Sequence, residues 1–82
     1  MQKNNRLTEK VSALIRRNVT GKQIEAIANK HGMPKNTFND VVFGKRYVSD
    51  KHYNALVELV ELAIENKTKD LTELKNYKDE QL

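Results

Sequence analysis

Three residues, Gly32-Met33-Pro34, constrain what this chain folds into more than any others. Glycine closes a helix by taking the left-handed conformation that residues with a Cβ avoid. Proline is comfortable only in a helix's first turn, where its missing amide proton has no partner to lose. One helix must therefore stop at about His31 and another begin at about Pro34 or Lys35. Between them there is room for a tight turn and nothing longer.

The flanking residues supply those helices. Thr20 followed by Gln23 is a capping box, so a helix starts there and runs over about 21–31, with Ile24, Ile27 and Ala28 as its apolar stripe. After the turn, Phe38, Val41 and Val42 face inward on a helix that ends near Gly44. Two short helices joined by a glycine-containing turn of three to four residues make a helix-turn-helix. Ahead of this pair, Leu7, Val11, Leu14 and Ile15 give the stripe of an amphipathic helix over roughly 7–17, preceded by a frayed polar tail at residues 1–5.

Downstream, Ser49 and Asp50 cap a fourth helix to about Asn66. Its apolar residues, from Tyr53 through Leu56, Leu59 and Leu62 to Ile64, cover more than half the circumference, leaving Asn54, Glu58, Glu61 and Glu65 as a polar strip. One small core needs a narrower stripe, so a second contact is expected, with the C-terminal segment or with another subunit. Lys67 to Lys69 reads as a linker and 70–79 as a weak last helix. The expected architecture is all-α: a four- to five-helix compact domain containing a helix-turn-helix over residues 6–66, with residues 67–82 as a C-terminal helical segment.

A chain of 82 residues forms one domain. A domain of this size buries only about 60–65% of the surface its unfolded chain exposes. With no cysteine there is neither a disulfide framework nor a cysteine zinc site to staple it. No apolar run approaches the ~20 residues of a membrane span, and the asparagine-rich start lacks the apolar stretch of a secretory signal. These features suggest a soluble, cytoplasmic protein. Its charge is divided: residues 1–49 carry ten Lys/Arg against three acids, a balance of +7, and residues 50–82 a balance of −3. A concentrated cationic field attracts polyanions, nucleic acid foremost, although a solvated lysine-rich surface would read the same way.

The stretch AIANKHGMPKNTFNDVVFGKRYVS, residues 26–49, resembles the helix-turn-helix of the lambda-repressor-like superfamily, which includes the Cro/repressor and Lac-repressor types. Three spacings carry the resemblance. Ala28 precedes Gly32 by four, Gly32 precedes Gly44 by twelve, and Gly44 leads into Lys45-Arg46 and Tyr47-Val48-Ser49. A full helix ahead of the motif resembles the Cro/repressor arrangement, and the YVS segment the Lac-repressor headpiece. Pro34 departs from the pattern by standing where those families place a capping serine, and GMPKNTF is also similar to the turn of pipsqueak-type and transposase-type domains.

With the third helix in a major groove, its outward residues Lys35, Asn36, Thr37, Asn39 and Asp40 are the candidates for reading base edges. Asn pairs with adenine, Lys with guanine and Asp with cytosine; the bland alternative is that Asn36 and Thr37 satisfy the helix start and Asp40 is solvated. Lys45 and Arg46, Lys22 and Gln23 at the second helix's N-terminus, and Arg16 and Arg17 are candidates for phosphate contact. Tyr53, Leu59, Leu62, Leu71, Leu74 and Tyr77 are candidates for homodimer contact, with packing of the last helix on the fourth as the alternative.

His31 and His52 stand alone, and the carboxylates of Glu58, Glu61 and Glu65 lie on the outward strip, so no catalytic or metal-binding group and no cofactor is expected. The resemblance, taken with the small size, implies a sequence-specific DNA-binding transcriptional regulator of phage or mobile-element type, acting as a homodimer on double-stranded DNA. Two rivals share the pattern: a protein-interaction module such as an inhibitor, antitoxin or anti-defence factor, and a DNA-bending accessory of excisionase type.

Overall fold

The computed structural model describes residues 5–81, and within them no side-chain placement for Tyr77, Glu80 or Gln81. Four helices make up the architecture: α1 Glu9–Asn18, α2 Gly21–Lys30, α3 Lys35–Val42 and α4 Asp50–Gln81. No strand occurs among the described residues, and none of their helices is long and apolar enough to cross a membrane.

Local chemistry sets most of the boundaries. The capping box at α2 forms in full: Gln23 N donates to Thr20 Oγ1 at 3.1 Å and Thr20 N donates to Gln23 Oε1 at 2.9 Å. Helices α2 and α3 then end in the same Schellman arrangement, each with a glycine in the left-handed region, Gly32 at φ 68° and Gly44 at φ 77°. At the first, Gly32 N donates to Asn29 O and Met33 N to Ala28 O; at the second, Gly44 N donates to Val41 O and Lys45 N to Asp40 O. This shared ending explains the spacing of the two glycines. Pro34 sits one place before the first turn of α3, as its N-cap at φ −61°, and offers no side-chain cap.

The first helix begins two residues later than its apolar stripe suggests. Thr8 caps it, accepting from Val11 N at 3.3 Å, and this frees Leu7 to pack against the core from an extended segment. Of the expected frayed tail, residues 1–4 lie outside the described residues, while Asn5 is tied down, its carbonyl accepting from Val48 N at 3.0 Å.

A larger difference concerns the C-terminal third. Lys67 to Lys69 are not a linker: α4 runs through them without a break, so four helices form rather than five. Nothing in Lys67-Thr68-Lys69 stops a helix, since neither glycine nor proline is present. Asn66, the residue most able to compete for the backbone, directs its amide elsewhere, donating to Asn18 O at 2.7 Å. A helix of 32 residues spans about 48 Å. That matches the 47 Å long axis of the molecule, which is elongated rather than compact.

The core forms where α2, α3 and the first half of α4 meet. Ala28, Phe38, Val41, Val42, Val48, Ala55, Leu56 and Leu59 are all fully buried. Leu59, a candidate for dimer contact, therefore belongs to this core, and Tyr53 and Leu62 are partly buried against it. Among the described side chains of that set only Leu71 and Leu74 are exposed, and the side chain of Tyr77 lies outside the described residues.

Helix α1 is fastened by one buried polar residue. Ser12 Oγ donates to Val42 O at 2.6 Å, satisfying a carbonyl in the last turn of α3, and accepts from Arg16 Nε at 3.1 Å. Removing it leaves a buried carbonyl unpaired, so Ser12→Ala should lower unfolding free energy by about 1–3 kcal/mol in urea titrations. The glycines provide a second test. Both need a positive φ, whose occupation by another residue costs about 1–2 kcal/mol. A Cβ at Gly32 would meet open space, whereas one at Gly44 would lie 2.8 Å from Leu7 O. Gly44→Ala should therefore destabilise more than Gly32→Ala; equal losses would show that the Leu7 crossing simply gives way.

Candidate nucleic-acid interface

The buried face of α3 determines which of its residues are left outside. Phe38, Val41 and Val42 point into the core, so Lys35 and Asn36 are exposed, while Thr37, Asn39 and Asp40 are half-buried. Lys35 and Asn39, one turn apart, line a cleft of about 290 Å³ with Arg16 from α1, Gly21 from the start of α2, and Phe43. Val19 and Ile24 complete its largely apolar lining, so the cleft sets Arg16 of α1 and Lys35 and Asn39 of α3 around an apolar floor beside the start of α2.

Each candidate cation is held differently. Lys35 Nζ is 3.4 Å from Glu25 Oε2, and Arg46 Nη2 is 3.7 Å from Asp40 Oδ2, in pairs whose side chains are about half exposed. Such exposed pairs contribute about 0–1 kcal/mol each, so an incoming phosphate or base edge can displace them. Lys22 and Lys45 are exposed, Lys45 with its ammonium 5.9 Å from the Phe43 ring centre.

Three of the candidate phosphate-contact residues have other places in the fold. Arg16 is a structural residue: it pairs with Glu9 at 2.9 Å, donates to Ser12, and lies 4.6 Å over the Phe43 ring. Gln23 has its carbonyl oxygen occupied by Thr20 N and, at 3.3 Å, by Asn66 Nδ2, so the side chain holds the capping box together. Arg17 is exposed but lines a separate depression with Asn66, Lys69 and Asp70, away from Lys35 and Asn39. Lys35, Lys45 and Arg46, on or just after α3, form an exposed cationic rim, with Lys22 exposed in the first turn of α2.

Sequence reasoning missed two members of this neighbourhood. Phe43 caps α3 and is 41% exposed between the Arg16 and Lys45 cations. Tyr47 is likewise exposed, with the Arg6 guanidinium 4.9 Å from its ring centre. Their only signal was the alternation of aromatic and basic residues in FGKRY. Comparison with family models, curated proteins and solved structures finds no match for the chain.

On the opposite side of the α2–α4 contact, Glu58 is not on an outward strip. Its Oε1 accepts from Lys30 Nζ at 2.8 Å and lies 3.6 Å from His31 Nε2. The Lys30 hydrogen bond is the main cause holding the Glu58 carboxyl below its ordinary range. No group of three side chains able to hold a metal ion occurs among the described residues.

His52 lies next to the cationic rim. Its Nδ1 is 2.9 Å from Ser49 Oγ, and partial burial, with Arg46 and Lys51 nearby, holds the imidazole below its ordinary value of 6.5. The unfolded chain then accepts a proton that the folded one resists. The folded state accordingly keeps this stability above 6.5 and loses it as pH falls below that value. Urea midpoints taken at about pH 7.5 and about pH 5.5 should therefore fall less for His52→Gln than for the parent. An equal fall in both would remove His52 as a cause.

Proposed function

We propose that this chain is a sequence-specific DNA-binding protein in which α2, the turn at His31–Pro34 and α3 act as a helix-turn-helix, with α3 as the recognition helix. The observation that carries the reading is the division of α3. Its Phe38-Val41-Val42 face is fully buried, while Lys35 and Asn36 are exposed and Asn39 half-buried beside a rim of cations. A rigid rod with one polar side free suits insertion into a major groove, where Asn and Lys reach base edges. The start of α2, where Gly21 and Lys22 are exposed, suits a phosphate.

The two acids of this region fit the same reading. Glu25 and Asp40 are each held by a cation, so in the free protein they keep Lys35 and Arg46 positioned. Lysine and arginine contacts with the backbone supply affinity without sequence preference, and the α3 row supplies discrimination. The reading as a regulator of phage or mobile-element type rests on the resemblance of residues 26–49 to the lambda-repressor-like superfamily. In this reading the chain binds as a homodimer and does not catalyse.

The test starts with enrichment of duplexes from a randomised pool, followed by titration of the winning site at several salt concentrations. Asn39→Ala and Lys35→Ala should each reduce preference for that site by about 1–3 kcal/mol. Lys45→Ala should weaken all duplexes alike and reduce the salt slope by about one. No enrichment, together with salt-independent binding, would overturn the proposal and favour the protein-interaction module. Protection of several direct repeats instead of one palindrome would favour the DNA-bending accessory.

A further inference from the structure

The large apolar side chains left exposed among the described residues fall into two groups. Phe43 and Tyr47 each lie beneath an arginine guanidinium. Val11, Leu14, Ile64, Leu71 and Leu74 have no such cover. The first three line an apolar groove of about 320 Å³ between α1 and α4, and the groove continues past Val11 and Val60 toward Leu7 and Tyr53. Leu71 and Leu74 extend the same stripe of α4 beyond the body of the domain. Along α4 the positions Tyr53, Val57, Val60, Ile64, Lys67, Leu71 and Leu74 are separated alternately by four and three, the spacing of a helix that packs along another helix.

We infer that a second copy of this chain fills the groove, with the two α4 helices antiparallel, so that the 69–81 overhang of each lies in the α1–α4 groove of the other. This deepens the dimeric part of the proposed function. Length supports it first. The stretch of α4 that borders the groove, Tyr53 to Thr68, is about 24 Å long, and the overhang is about 20 Å long. A two-fold axis near residues 65–66 sets residues 69–78 of each overhang beside 53–62 of the other α4, the Tyr53–Val60 part of the groove, and closes the assembly at two copies.

Charge decides the direction. Asp70, which also borders the depression beside its own Arg17, continues the row Leu56-Ala63, and Glu73 the row Leu59-Asn66, so the two acids extend the flank of α4 that faces its own core and α1. Antiparallel helices related by a two-fold turn like flanks toward each other. The acidic flank of one overhang then meets α1 of the other copy, where Lys10 is exposed and in no ion pair among the described residues. Parallel helices would turn these acids away from α1 and set Lys67 against its own copy across the seam. In the antiparallel register Lys67 falls beside Ile64 instead.

The absence of cysteine makes the test clean. Light scattering should give a dimer at micromolar concentration, and Leu71→Glu or Leu74→Glu should raise its dissociation constant at least roughly tenfold with the helical circular dichroism unchanged. Lys10→Glu should weaken the dimer, and adding Asp70→Lys with Glu73→Lys in the same chain should restore it. Under mild oxidation, Leu71→Cys mixed with Val11→Cys should give a mixed disulfide, while Leu71→Cys alone gives none. A monomeric parent, a dimer indifferent to Leu71→Glu, or ready self-linking of Leu71→Cys would overturn the inference. Binding of the same samples to a duplex carrying one half-site reads the DNA proposal separately, so a dimer without DNA binding and DNA binding without a dimer are different failures.

Discussion

An eight-residue helix is too short to hold itself in water, so everything on the surface of α3 depends on how that helix is clamped. The clamp has three parts. Phe38, Val41 and Val42 are driven into a core completed by Val48, Leu56 and Leu59. Losing a buried phenylalanine of this kind costs about 3–5 kcal/mol. Met33 and Gly32 fix the entry to α3 and Gly44 fixes its exit, so the backbone hydrogen bonds at both ends are specified. Ser12 then reaches across from α1 to the Val42 carbonyl. With rotation and translation of α3 both removed, the backbone at Lys35 and Asn39 is held at a fixed angle, which is what the proposed discrimination between base pairs requires.

The electrostatics follow from the same arrangement. Three acids accompany the ten cations of residues 1–49, and all three are held by cations: Glu9 by Arg16, Glu25 by Lys35 and Asp40 by Arg46. The first pair is different in kind, because Arg16 is also tied to Ser12 and stacked on Phe43. That pair braces α1. The other two are open to water and easily exchanged, so they keep the α3 side chains extended without competing strongly with a polyanion. Lys30, meanwhile, is drawn away to Glu58, where it helps to join α2 to α4.

Much of this was legible in the sequence because it rests on local chemistry. Thr20-Gln23, Gly32, Pro34 and Gly44 act within a few residues of themselves, and the ends of α2 and α3 came out where those residues put them. Features that depend on distant partners were not legible. Ser12 reads as an ordinary polar helix position, and its acceptor is 30 residues away. Arg16 reads as a free cation until Phe43 and Glu9 are placed beside it. Gln23 is visible as half of a capping box, but not as the acceptor for Asn66. Leu59 and Ile64 look equivalent by periodicity, yet one is fully buried and the other 61% exposed, because the body of the domain approaches α4 from one side only.

The apolar excess on α4 is the point at which sequence and structure pose the same physical problem. A stripe covering more than half of a helix implies two contacts, and the domain core satisfies one. The alternative of a folded-back last helix is closed, because residues 67–69 carry α4 straight on and take Leu71 and Leu74 away from the body. A stretch of about a dozen residues projecting without packing is marginal as a helix in water. Its internal support is slight: Thr72 bonds back to Thr68 O at 3.0 Å, a contact that tends to bend helices rather than stabilise them. The overhang therefore needs an apolar surface from elsewhere, and the exposed groove beside α1 needs an apolar ridge. Because one chain carries both the ridge and the groove, pairing two chains satisfies the two needs at once.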